Sequence, residues 1–156
     1  MKIKQLTKTA IIPTRNSEKA AGYDLYADRV VNQHSDTTPS DINDTIVIPP
    51  HSTTMISTGI AIAIPDGYFG AIFARSGIST KRGLRPANCT GVIDSDYRGD
   101  IIVALHNDSD EPQVVEPHER IAQLVIISYQ SVEFEVVYEL DETERGENGF
   151  GSSGTH

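Results

Sequence analysis

Tryptophan is absent from this chain, aromatic residues make up only 6% of it, and there is a single cysteine. Positive charge is also scarce: 13 Lys and Arg stand against 22 Asp and Glu, a formal net charge of −9. The lone Cys89 rules out an internal disulfide and suits a reducing compartment, so the cytosol is the expected location. The acidic balance argues against a nucleic-acid polymer as main partner, because such binders present a basic face. An anionic ligand must then be captured locally, by a few arginines or a metal ion. No run approaches the roughly 18 consecutive apolar residues of a membrane span, and no membrane partner is expected. The opening Met1-Lys2-Ile3-Lys4-Gln5 alternates like a strand and lacks the apolar stretch of a signal peptide.

What the chain does contain is short β-rich runs separated by turn residues. Ile46 to Ile48, Thr53 to Ile56, Gly59 to Ile64, Tyr68 to Phe73, Ile101 to Leu105, Ile121 to Ile127 and Val132 to Tyr138 all read as strands. Strands of this length and spacing predict an all-β sandwich or barrel. One short helix is expected near Ser76 to Arg82, closed by Gly83. Residues 32–45 are polar turn-formers and read as a long surface loop. At 156 residues one domain is expected: a body over 1–140, and a tail over 141–156 too polar to fold alone.

Five segments carry chemistry. Gly91-Val92-Ile93-Asp94-Ser95-Asp96-Tyr97-Arg98-Gly99 packs two carboxylates, a phenol and a guanidinium between glycines, ahead of an apolar run. That pattern predicts a β-hairpin with a chemically loaded turn, with Asn88 on its leading strand. Ala20-Ala21-Gly22-Tyr23-Asp24-Leu25-Tyr26-Ala27 places one charge in a small, apolar stretch, where a buried, satisfied Asp is the plainest reading. Ala74-Arg75-Ser76-Gly77-Ile78-Ser79 brings a guanidinium, a hydroxyl and a free backbone N–H to a strand-to-helix junction suited to phosphate oxygens. In Glu119-Arg120-Ile121-Ala122-Gln123-Leu124-Val125, alternation puts Arg120 and Ala122 on one face and Ile121, Gln123 and Val125 on the other. Gln123 is then either a satisfied core amide or a ligand contact. The fifth segment is the tail, Arg145-Gly146-Glu147-Asn148-Gly149-Phe150-Gly151-Ser152-Ser153-Gly154. The arginines placed for anion capture are Arg75, Arg98, Arg120 and Arg145.

In this order the five segments closely resemble the motifs of the trimeric dUTPases, the dUTP nucleotidohydrolases, across residues 20 to 154. The resemblance implies an all-β, distorted jelly-roll-like β-barrel with one short helix, assembled as a homotrimer. It implies Mg²⁺-dependent hydrolysis of dUTP to dUMP and pyrophosphate, which limits uracil in DNA and supplies dUMP for dTMP synthesis. Asp94 would orient and deprotonate the water that attacks the α-phosphate. Tyr97 would lie against the deoxyribose and exclude a 2′-hydroxyl. Asn88 and the backbone of Gly91, Val92 and Ile93 would read the uracil edge. Arg75, Ser76, Gly77 and Gln123 would hold phosphates. Asp24 would act on the metal through water, since Mg²⁺ keeps most of its waters. Arg145 would be an arginine finger, Phe150 a lid on the uracil, and Ser152 and Ser153 contacts to the γ-phosphate. The tail, 141–156, would be a flexible arm that closes over the site. Three equivalent sites would each draw the Arg75 and Gln123 segments, the hairpin and the tail from different subunits.

Some residues depart from the family pattern. Ala74 stands where many relatives have proline, and His118 where glycine is usual. Asp96 is expected to hold the loop or a neighbouring arginine, and Cys89 to be a packing residue beside Asn88. The five histidines form no metal-spaced cluster. Two other readings compete. A dCTP deaminase-like enzyme shares the fold but needs an additional acid/base, typically a Glu, near the pyrimidine. A dUTP-sensing regulatory protein would use residues 32–45 to contact a protein partner.

Overall fold

The computed structural model describes residues 1–31 and 45–149. Along the chain come β1 (Lys2–Gln5), β2 (Tyr23–Tyr26), β3 (Arg29–Val30), β4 (Ile46–Ile48), β5 (Thr53–Ser57), β6 (Ile60–Ala63) and β7 (Tyr68–Phe73). Helix α1 (Ser76–Arg82) follows, then β8 (Leu84–Pro86), β9 (Gly91–Ile93), β10 (Ile102–Asn107), β11 (Gln113–Val115) and β12 (Arg120–Ser128). All pairings are antiparallel. Two four-stranded sheets, β3-β5-β10-β8 and β2-β12-β7-β9, combine with the ribbons β1-β6 and β11-β4 into the expected distorted jelly-roll-like barrel.

The period-2 pattern explains why these runs become strands. In β10, Val103, Leu105 and Asn107 are buried while Ile102, Ala104 and His106 are half-exposed. The inward residues meet Leu25, Ile48, Ile56, Ile60, Leu84 and Ile121, all without solvent exposure, in one core. Asn107 is polar yet fully buried, and every bond it can make is made. Its Nδ2 donates to the carbonyls of Ile48, Pro49 and Glu111, and its Oδ1 accepts from Ser109. Helix α1 is anchored by buried Ile78 and ends at Gly83, whose φ of 66° is left-handed.

Three expectations fail. The segment Gly91 to Leu105 is not a hairpin: β9 pairs with β7, whereas β10 pairs with β5 and β8. Residues 94–100 therefore cross between the two sheets. Periodicity identifies both strands but not their partners, and seven residues far exceed the two-residue turn of a tight hairpin. Val132 to Tyr138 forms no strand, and Phe134, Val136 and Tyr138 are almost fully exposed. Cys89 does not pack in the interior; it is exposed, in a left-handed conformation (φ 61°), with its Sγ 3.9 Å from Arg85 Nη1. Among the described residues no helix is long and apolar enough to cross a membrane. Of the 32–45 loop, only Thr45 lies within the described residues.

Candidate active site

Three of the five segments converge on one polar cleft of about 470 Å³. It is lined by Ala20, Ala21, Gly22 and Asp24, by Phe73, Arg75, Ser76 and Gly77, and by Arg120, Gln123, Val125 and Asn16. Sheet register makes the convergence. Gln123 lies opposite Asp24 on β2 and opposite Phe73 on β7, so β12 carries the cleft's floor between the other two segments. Gly22 leaves room there for the Gln123 side chain, whose amide oxygen a Cβ at position 22 would displace.

Asp24 is the electrostatic centre. It is 9% exposed, and each of its oxygens takes one guanidinium: Arg75 Nε donates to Oδ1 at 2.7 Å and Arg120 Nη1 to Oδ2 at 3.1 Å. A carboxylate this buried stands only when paired, so the plain reading of a buried, satisfied Asp holds. The partners are two of the arginines whose sequence context suggested anion capture, which gives the pair its chemical interest. Gln123 Nε2 donates to the Ala74 carbonyl at 2.9 Å, which satisfies the amide, and the side chain borders the cleft. Because only the Ala74 backbone is used, the side-chain departure there leaves this contact intact. Arg75 occupies the N-cap of α1, and Ser76 and Gly77 open its first turn in an exposed position.

Arg120 is the residue that alternation misplaces. Two residues of β12, Arg120 and Ala122, span the same stretch as Tyr26 and Leu25 of β2, a bulge that shifts the register. The slip reverses the side-chain phase and brings Arg120 onto the face of Gln123 and Val125. No feature of the sequence marks the bulge itself. The turn ahead of it is legible: Glu119 N donates to the Glu116 carbonyl, Pro117 follows Glu116, and His118 has φ 61°. Pro at the second position and a positive φ at the third are the marks of a type II turn, which explains the usual glycine.

The other candidates stand elsewhere. Gly91, Val92, Ile93, Asp94 and Tyr97 lie on and after β9, at the opposite edge of the sheet from β2, and Asn88 lies not on a strand but in the turn ahead of β9; none of them lines the cleft. Asn88 is close to the strand it was expected to lead, with its Nδ2 3.5 Å from a Cβ placed at Gly91. Arg98 is exposed, and its Nη1 donates to the carbonyls of Ser95 (2.6 Å) and Tyr97 (2.9 Å). Asp96 is exposed. Arg145 lies in an exposed turn, its Nε donating to the Asn148 carbonyl at 2.9 Å, away from the cleft. Phe150, Ser152 and Ser153 fall outside the described residues.

A β-barrel with two arginines, an amide and a helix-opening Ser-Gly around one cleft has the chemistry of the class of proteins that bind phosphorylated ligands. Comparison with known proteins narrows the class. The dUTPase family model matches residues 8–154, and the chain belongs to that family. The deoxyuridine 5'-triphosphate nucleotidohydrolase of Escherichia phage T5 is 46% identical over 99% of each chain. That of Orientia tsutsugamushi (strain Ikeda) is 41% identical over 99% of this chain and 97% of its own. A variant of the Staphylococcus bacteriophage 80alpha dUTPase, solved with dUpNHpp, superposes with a TM-score of 0.81 at 32% identity, covering 99% of this chain and 98% of the other.

Proposed function

We propose that this chain hydrolyses dUTP to dUMP and pyrophosphate in the cytosol, at a site completed only when copies assemble. The observation that carries the reading is the split: phosphate-holding groups gather in the β2–β12 cleft, while Asp94 and Tyr97 stand at the far edge of the same sheet. One chain holds two halves of a site that do not meet. In a homotrimer, the cleft of one copy faces the 94–100 loop of a second and the arm of a third. Closed symmetry makes the three sites equivalent. The segment beyond β12 supports this. Val132, Phe134, Val136, Tyr138 and Leu140 alternate mainly with acidic residues in a strand pattern, yet all are exposed in the single chain. Another unpartnered apolar surface, a groove of about 280 Å³, is lined in part by Ile3, Ile12, Tyr23 and Ile126.

In the assembled site Arg75, Arg120, Ser76, Gly77 and Gln123 hold the triphosphate, and the Asp94 carboxylate takes a proton from the attacking water. The Tyr97 ring lies against the deoxyribose, Asn88 and the Gly91–Ile93 backbone read the uracil edge, and the arm with Arg145, Phe150, Ser152 and Ser153 covers the ligand. The donor set would suit Mg²⁺ taken up with the phosphates. Asp24, with both oxygens engaged by arginines, would act on the ion through water. When bound, the ion neutralises phosphate charge.

Pyrophosphate release with Mg²⁺ from dUTP, dCTP, dTTP and UTP, measured side by side, tests the reading. Rapid release from dUTP alone is expected. Ammonia from dCTP would transfer the chain to the deaminase class, and dUTP binding without turnover would make it a nucleotide sensor.

A further inference from the structure

The loop carrying Asp94 and Tyr97 is held by a side chain that none of the roles above uses. We propose that Asp100 is a positioning residue: its carboxylate, gripped by Ser57 and Arg29, fixes the end of the 94–100 loop and thereby sets Tyr97 and Asp94. The proposal rests on the dUTP-hydrolysing reading and names a further residue that reading needs.

The loop has little else to hold it. Asp94, Asp96, Tyr97 and Arg98 are all exposed, so no packed layer of the described residues covers them. Tyr97 is fixed from below. Its Oη donates to the Asp100 carbonyl at 3.0 Å, and its ring lies so close over Gly99 that a Cβ there would be 2.6 Å from the ring's Cζ. The position of the phenol is therefore inherited from the backbone of residues 99 and 100.

That backbone is tied to the barrel through the Asp100 side chain. Asp100 Oδ2 accepts from Ser57 Oγ at 2.5 Å and from Arg29 Nη2 at 3.1 Å. Ser57 is fully buried on β5, and its Oγ accepts in turn from Gly59 N at 3.0 Å. Arg29 is braced on its other side by Asp28 at 3.0 Å, and that carboxylate accepts the hydroxyls of Thr7 and Thr9. The next residue, Ile101, is buried; its N donates to Ile60 and its carbonyl accepts from Thr58. The loop thus ends on an unyielding base, and Asp100 is the joint between the two.

The joint is expensive. Both bonds to the Asp100 carboxylate fall on one oxygen, and Oδ1 is buried with no partner among the described residues. Burial, helped by the neighbouring Asp28 charge, pushes the carboxyl above its ordinary range, against the opposing pulls of Ser57, Arg29 and the Gly59 backbone N–H. Such a group is a poor choice for stability alone and a sound one for fixing a loop, because a misplacement of about 1 Å can cost roughly 100-fold in rate. Asp96, the expected loop holder, makes none of these bonds.

The test compares full-length wild type with Asp100→Ala and Ser57→Ala, using turnover of dUTP and UTP, light scattering for the assembly, and hydrogen exchange of the 94–101 peptide. Both variants are expected to keep the assembly, to lose about tenfold in kcat with a smaller change in KM, and to discriminate less between dUTP and UTP. Exchange should rise in the 94–101 peptide and stay unchanged over β7 and β12. If Asp100→Ala fails to assemble, Ser57→Ala, which removes one oxygen, decides the matter. An assembled variant with wild-type kcat, dUTP/UTP preference and exchange overturns the positioning role. A wild-type chain silent on dUTP defeats the activity reading instead, and the exchange comparison still reports on the joint.

Discussion

At the β2–β12 edge of the barrel's functional sheet, Asp24 is almost buried and two arginines hold its oxygens at 2.7 and 3.1 Å. At the β9 edge, Asp94, Asp96 and Tyr97 stand in water on a loop held mainly from its far end. The first region keeps its charges paired and organised within one chain. The second leaves two carboxylates and a phenol exposed among the described residues. Binding can thus be prepared in a single copy, because arginines tolerate a carboxylate as stand-in for phosphate. On the proposed reading, general-base chemistry needs a water trapped between two surfaces, and the described residues of one chain supply one of them.

Removing the reactive group should have the largest effect. Asp94→Asn keeps the shape and the hydrogen-bonding reach but cannot accept the water's proton, so kcat for dUTP should fall by about 10²–10⁴-fold. Nucleotide affinity, set at the other edge, should hold, as calorimetry with a non-hydrolysable analogue would show. Near-normal turnover would remove Asp94 from the role of base.

A smaller and opposite effect is expected at the cleft. Asp24→Asn strips the shared anion from Arg75 and Arg120 and leaves two guanidinium groups facing each other. Metal-free affinity for dUDP should then rise severalfold, because the ligand no longer displaces an internal carboxylate. Turnover with Mg²⁺ should fall by roughly 10–100-fold as the water-mediated hold on the ion is lost. Weaker metal-free binding would mean that Asp24 organises the arginines and does not compete for them.

The contrast between the edges also marks what sequence can reveal. Helix Ser76–Arg82, its Gly83 end, β4 and β7 were legible to the residue because their signals are local. The gathering of Asp24, Arg75, Ser76, Gly77 and Gln123 followed from motif resemblance, and register then explained it. The partner of β9 was not legible, since strand pairing is non-local and both candidate partners are apolar. Arg120 was hidden by a single bulged residue that reverses the phase of everything before it. Val132 to Tyr138 carries the pattern of a strand, but a strand needs a neighbour, and among the described residues it pairs with none. Asp100 was overlooked because its partners, Ser57 and Arg29, are remote in sequence and ordinary in type.

The mildest change sharpens the comparison by touching the cleft's approach and nothing in it. His118 sits at φ 61° in the turn that delivers β12, exposed, its N donating to Ala27 at 3.1 Å. A non-glycine residue in this conformation carries about 1–2 kcal/mol of strain. His118→Gly relieves that strain and preserves the backbone bond, while the freer unfolded chain gives back roughly 0.4–1 kcal/mol. A net gain near 0.5–1 kcal/mol is expected, raising Tm by roughly 1–4 °C in a chain of this size. Turnover should stay within about twofold, because Arg120 is placed by the bulge beyond the turn and not by the His118 side chain. A variant with raised Tm and unchanged kcat would confirm that the turn bears only on stability. A fall in kcat at raised Tm would show instead that strain at His118 helps aim Arg120 into the cleft.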